Sequence, residues 1–258
     1  MTLKDKETID HIIENEILRG YVNGVSTRII HKDRVIYAGN FGFADKEKNI
    51  QMSSNTIFRM FSMTKPITAT AVMILAEQGK LNLEDCVSKY LPEFSKQRVL
   101  LENGTEILVK RESTIFDLLN MTSGIPYPSQ DSLAGIRMEK VLKRMIQERN
   151  TGVRTSTREW ISNIAKSPLC FQPGERWKYG FSADVLACVV EVISEKRYAE
   201  FLQKELFEPL NMEDTAFFVP KEKRERFAQI YQWNSNTGML VPYRESHLGE
   251  YYCEDVDF

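Results

Sequence analysis

The sequence predicts an α+β protein: a small antiparallel sheet near the N-terminus, followed by a mainly helical remainder. Two β-branched runs, at 25–30 and 35–38, flank the polar stretch His31-Lys32-Asp33-Arg34 and read as a hairpin. From Ser62 onward the apolar residues recur largely at helical spacing. A chain of 258 residues can bury a large core, either as one domain or as two intertwined lobes.

Taken in order, residues 4–20 form the first predicted helix. Ile9, Ile12, Ile13 and Ile17 share one face, and Gly20 is the stop. The hairpin follows. Gly39, Gly42 and the charged cluster at 45–49 mark a loop. Residues 62–78 are rich in Ala, Ile, Val, Met and Leu, so a buried helix ending at Gly79 is expected. A small hairpin around Asn103-Gly104 spans 100–110, and short and longer helices follow at 114–119 and 133–149. Ser156 and Glu159 have the spacing of a capping box before Trp160 and Ile161. Further helices are expected at 182–194 and 198–206. With only two convincing strands the sheet looks incomplete, because a lone hairpin is marginal.

Composition narrows the function classes. Lys and Arg number 34 against 36 Asp and Glu, a formal charge of −2, which suggests neither nucleic acid nor an anionic membrane surface as partner. No apolar run is long enough to span a bilayer, and the first residues lack the apolar region of an export signal. Cys86, Cys170, Cys188 and Cys253 are scattered without metal-type pairing, so free thiols in a cytoplasmic setting are expected. His11, His31 and His247 lie far apart, which suggests neither a histidine metal site nor a Ser-His-Asp triad, and no cofactor is called for.

The densest chemistry lies in Phe61-Ser62-Met63-Thr64-Lys65-Pro66. Positions i and i+3 share a helix face, so Ser62 and Lys65 are neighbours. A proline inside a helix clashes with the carbonyl four residues back, which places Pro66 in the first turn and the helix start near Ser62. A hydroxyl and an amine then stand where backbone N–H groups are free and the helix dipole is positive. Acyl transfer needs a nucleophile, a proton acceptor and oxyanion donors in such a spot. A capping serine beside a solvated lysine has the same spacing. The second dense stretch is Pro173-Gly174-Glu175-Arg176-Trp177-Lys178-Tyr179-Gly180-Phe181-Ser182. Tyr179, just ahead of a predicted helix, is placed to point its phenol into a cleft, where a nearby cation makes it a readier base. Core packing of Trp177 and Tyr179 is the other reading.

Together with Gly79-Lys80-Leu81, Leu118-Leu119-Asn120-Met121-Thr122-Ser123-Gly124-Ile125 and Pro209-Leu210-Asn211-Met212, in this order, these stretches resemble the serine β-lactamase and penicillin-recognising superfamily in its class-C-like branch. The resemblance runs from about residue 24 onward. It implies a β-lactamase-like fold: an antiparallel sheet with helices on its faces plus an all-helical lobe. The chain is then a single domain over 1–258, with residues 1–60 as the N-terminal helix and hairpin and 61–258 as a mostly helical lobe. It implies Ser62 as the acylated nucleophile, with its backbone N–H as an oxyanion donor. Lys65 and Tyr179 share the base role as a coupled pair, with the order between them open.

Two departures bear on substrate. The residue two beyond Tyr179 is Phe181, where β-lactamases of this branch carry Asn. An apolar residue there shifts the expectation toward an ester or amide with a small acyl group, esterase-like before β-lactamase or D-amino-acid peptidase; Phe181 is then a substrate contact or a packing residue. His247-Leu248-Gly249 matches the family's third motif in letters but comes early. The late strands of the family's sheet are therefore expected to be missing from these residues, which leaves a catalytically incomplete binding module as an alternative.

Overall fold

The computed structural model of the chain describes residues 2–150 and 155–243, which fall into two compact units. The first comprises residues 2–60 with 218–243. Its opening helix, α1 (Leu3–Leu18), starts at a reciprocal capping box: Thr2 Oγ1 accepts from Asp5 N, and Asp5 accepts from Thr2 N at 2.7 Å. It ends before Gly20, whose φ of 75° suits glycine. The helix packs on the hairpin, where the Tyr37 hydroxyl donates to Asp10.

Strands β1 (Gly24–His31) and β2 (Arg34–Asp45) pair antiparallel, with Gly24 opposite Gly42 and His31 opposite Arg34. The turn is only Lys32 and Asp33, both at positive φ (48° and 59°), as a two-residue hairpin turn requires. Of the loop expected over 39–49, residues 39–45 are instead strand and 46–49 form a turn. Gly39 and Gly42 belong to it because the ladder runs close there: a Cβ on Gly24 would lie 2.4 Å from the Phe43 carbonyl oxygen. A third strand, β3 (Ile50–Gln51), pairs with the end of β2.

Residues 218–243 were expected in the helical lobe and instead join the first unit. Ile57 N donates to Arg226 O at 2.8 Å, Ala228 N to Ile57 O at 2.9 Å, and Gln229 N to Ala44 O at 2.9 Å. This stretch carries a hairpin that the sequence reading missed, which pairs the segments Tyr231–Asn234 and Met239–Pro242. Strand-like alternation and the Asn-Thr-Gly turn at 236–238 were its available signal.

The second unit, residues 61–217, contains the main hydrophobic core. Helix α2 (Thr64–Glu77) buries Thr68, Ala71, Val72 and Leu75 on one face, whereas Met73 on another side is 47% exposed. The all-round burial expected from its composition is therefore corrected to one buried face. The small hairpin forms from β4 (Arg98–Leu100) and β5 (Glu106–Leu108), with Gly104 at positive φ in its turn. Helices α3 (Ile115–Leu119), α4 (Leu133–Asn150) and α5 (Thr157–Ala165) follow, and Ser156 with Glu159 forms the expected capping box. Buried Asp117 of α3 takes a two-armed ion pair from Arg111, at 2.5 and 2.9 Å, which compensates its desolvation. Helix α6 (Ser182–Ser194) packs on α2, and α7 (Tyr198–Leu202) runs on into a single π-helical turn at Gln203–Phe207. Helix α2 is tied to α7 by a buried 2.7 Å hydrogen bond between Thr68 Oγ1 and Tyr198 Oη. After α7 the chain continues through β6 (Tyr231–Asn234) and β7 (Met239–Pro242), already described in the first unit. The α+β expectation is met: small antiparallel sheets accompany several helices. Among the described residues no helix is long and apolar enough to cross a membrane.

Candidate active site

Ser62 lies in a 3-10 turn, Phe61–Met63, that feeds directly into α2, so Pro66 falls in the first helical turn as its missing N–H requires. The residue before it, Phe61, holds a φ of 43°, an unfavourable conformation for a bulky residue. Lys65 stands one turn on, with Nζ 3.4 Å from Ser62 Oγ.

Tyr179 reaches the same point from 117 residues away, with Oη 2.6 Å from Ser62 Oγ. Its backbone is held by the loop after α3. Lys178 N donates to Met121 O at 3.0 Å, and the Ser123 and Ser182 hydroxyls bond at 2.8 Å in the interior. Gly180 is the condition for this approach, because a Cβ there would sit 1.9 Å from the Ile125 carbonyl oxygen. Ser62, Lys65 and Tyr179 are thus brought together at the head of α2, all within the second unit.

A fourth group was not anticipated. Lys65 Nζ donates to Tyr127 Oη at 3.1 Å, and the Tyr127 ring meets Tyr179 edge-on with centroids 5.4 Å apart. Tyr127 lies three residues beyond Gly124 and sits between Pro126 and Pro128, a rigid setting that was its one sequence signal. Phe181 does not face the groove. It is 7% exposed and packs edge-on behind Tyr127, centroids 4.5 Å apart. Of the two readings open for Phe181, substrate contact or packing residue, its burial behind Tyr127 favours packing, because the chain turns inward at Gly180 to start α6. His247-Leu248-Gly249 lies outside the described residues.

The electrostatics separate the two phenols. Hydrogen bonding from Lys65, then from Ser62, holds Tyr179 below the ordinary phenol value of 10.0. Burial pushes Tyr127 above it, against the pull of Lys65. For Lys65 itself burial acts downward, but the Tyr179 and Tyr127 hydroxyls outweigh it and raise the ammonium above 10.5. The cluster therefore holds a lasting cation, one acidified phenol in contact with the serine hydroxyl, and one neutral phenol that orients the cation. A hydroxyl beside a phenol poised to ionise can attack a carbonyl and hand its proton on in the same step.

Asp184, in the first turn of α6, was also missed; it is an acid set into an otherwise apolar helix start. Part of the residue remains exposed while its carboxyl is screened from water, and burial pushes it up to about 6 despite Lys65. Its folded value lies above the ordinary 3.8, so the ionised form is disfavoured by folding. The cost is absent below the ordinary value and is fully felt above pH 6 or so. Asp184→Asn is therefore expected to raise stability at pH 8 by about 1–3 kcal/mol and by much less at pH 4.5. Thermal melts of the two proteins at both pH values check this.

Comparison with known proteins finds relatives of the chain. A family model described as Beta-lactamase matches residues 9–248. Protein Rv1367c of Mycobacterium tuberculosis is 30% identical over 217 residues, covering 83% of this chain and 52% of that protein. Esterase EstB of Burkholderia gladioli is 31% identical over 245 residues, covering 93% of this chain and 59% of EstB. The chain thus spans little more than half the length of these curated relatives. Among solved structures, EstCE1, described as a hydrolase with promiscuous acyltransferase activity, superposes with a TM-score of 0.76 at 24% identity. The match covers 94% of this chain and 62% of that one.

Proposed function

The chain belongs to the Beta-lactamase family, and on that footing we propose that it is a serine hydrolase that cleaves a small-molecule ester through an acyl-enzyme. The observation that carries this reading is the 2.6 Å contact between the Tyr179 phenol and the Ser62 hydroxyl, made beside the Lys65 ammonium. In the proposed reaction the Tyr179 phenolate takes the Ser62 proton as Oγ attacks the ester carbonyl. The oxyanion is met by the Ser62 backbone N–H at the head of α2. As the tetrahedral adduct collapses, Tyr179 returns the proton to the leaving alkoxide, which departs as the alcohol. Water then attacks the acyl-enzyme, Tyr179 takes its proton, and that proton passes to Ser62 Oγ as the carboxylic acid leaves. Lys65 stays charged throughout and keeps Tyr179 acidic, which supports Tyr179 as the base of the pair.

An ester is favoured over a β-lactam or a D-amino-acid amide for two reasons. Phe181 leaves no amide side chain at its position, and the exposed neighbours of the nucleophile are apolar: Phe61, Met63 and Trp177 are 51%, 63% and 66% exposed. The similarity to EstB supports the same choice. The cytoplasmic setting read from the scattered cysteines belongs to this proposal as well. The test is covalent labelling of the full chain with a fluorophosphonate, followed by mass spectrometry. One adduct is expected on the wild type and none on Ser62→Ala, with p-nitrophenyl butyrate turned over and nitrocefin spared. An adduct that persists in Ser62→Ala, or a folded wild type that takes no label, overturns the proposal.

A further inference from the structure

Beside Tyr179, whose Oη lies 2.6 Å from Ser62 Oγ, the surface holds more space than a small acyl group needs. A recess of about 300 Å³ is lined by Tyr127, Ser129, Asp131, Trp177, Lys178 and Tyr179. A larger cavity of about 850 Å³ shares Asp131, Trp177 and Lys178 with it, so the two adjoin at these residues. The larger volume lies in the range of small-molecule sites.

The walls of this cavity have a definite character. Four large apolar side chains that stay exposed elsewhere without a reason converge on it: Leu101, Ile107, Leu133 and Trp177, at 37%, 37%, 40% and 66% exposure. Several charged groups around it are already matched. Lys178 pairs with Asp131 at 2.7 Å, Glu175 with Lys110 at 3.1 Å, and the Arg176 guanidinium lies over the Phe171 ring, 5.2 Å from its centroid. Matched charges and these four apolar side chains, set among the polar Glu102, Asn103 and Gln130, suit an uncharged hydrocarbon chain better than a charged group. Trp177 and the Lys178–Asp131 pair stand where recess and cavity adjoin.

We infer that this cavity is the subsite for a linear hydrocarbon chain of the substrate ester, reached from Ser62 by passing Tyr179 and Trp177. The inference rests on the esterase reading and extends it from a small acyl group to a medium-length chain. The chain belongs either to the acyl part or to the alcohol part, and two substrate series separate these. One varies the acyl group of p-nitrophenyl esters from acetyl to octanoyl; the other varies the alcohol of acetate esters from methyl to octyl.

The variants are Ile107→Arg and Leu133→Arg, both at exposed positions, which set a charge in the path of the chain. The ratio of kcat/KM for the longest to the shortest member is expected to fall at least tenfold in both variants in one series, and that series identifies the part that enters. An unchanged ratio in both series overturns the inference and leaves the esterase reading standing. Should no ester be turned over, that reading fails by itself and binding decides: the full chain is titrated with 1-octanol and followed by tryptophan emission. The expected result is a saturable change that is lost in Trp177→Phe and needs at least fivefold more octanol in Ile107→Arg. A change that survives Trp177→Phe, or that is the same in Ile107→Arg, overturns the subsite.

Discussion

Replacing Tyr179 by Phe is expected to lower kcat/KM for an ester by about 10²–10⁴-fold, the range for removing a positioned proton-transfer group. The substitution deletes one oxygen and leaves the ring. The edge contact with Tyr127 at 5.4 Å and the tilted contact with Trp177 at 6.4 Å both survive, so the melting temperature should barely move. What is lost is the atom 2.6 Å from Ser62 Oγ. The loss should fall on acylation, so fluorophosphonate labelling of Ser62 slows together with turnover. Steady-state kinetics and timed labelling of the two proteins check this. If Tyr179 served only to pack, the Phe variant would match the wild type in both.

The second large effect belongs to Lys65. Its ammonium bonds Tyr127 at 3.1 Å and sits over the Tyr179 ring, 4.5 Å from the centroid. Lys65→Met keeps the length of the side chain and removes the charge. The largest influence that lowers Tyr179 then disappears, and its phenol moves back toward 10.0. The direction for activity follows from the base needing to be ionised. In the wild type kcat/KM should rise with pH through a midpoint below 10.0 and hold until the still higher value of Lys65 is approached. In Lys65→Met the rising limb should move to higher pH. Near neutral pH the lost base fraction and the lost orientation together should cost about 10²–10⁴-fold. A pH–rate profile separates the two contributions, because alkaline pH restores the ionisation but not the orientation.

Local regularities were legible in the sequence, and long-range approaches were not. Ser62 and Lys65 could be paired because three residues on a helix is a fixed geometry, and Pro66 fixed where that helix had to begin. The cap at Ser156 was readable for the same reason: the partner is three residues away. Tyr179 was found through its place before a helix and through the family resemblance. Tyr127 lies 62 residues from Lys65, and no periodicity links them; only the fold does. Phe181 was open between substrate contact and packing because it stands where the resembled family carries Asn; Gly180 lets the chain dive at that point and puts the ring in the core. The hairpin at 231–242 was passed over because four-residue strands carry too few alternations to stand out. The end of β2 was misread as loop because Gly39 and Gly42 look like turn residues, whereas here they admit a close strand pairing.

One ammonium splits two tyrosines, acidifying the phenol beside Ser62 while the other accepts a hydrogen bond from it and stays neutral. The most direct test of this split is a pH titration of the wild type with tyrosines carbon-13 labelled at Cζ, assigned with Tyr179→Phe and Tyr127→Phe and repeated in Lys65→Met. Tyr179 is expected to ionise below 10.0, Tyr127 above it, and Tyr179 to climb when Lys65 is removed. Tyr179 titrating above Tyr127, or failing to respond to the loss of Lys65, would contradict the split.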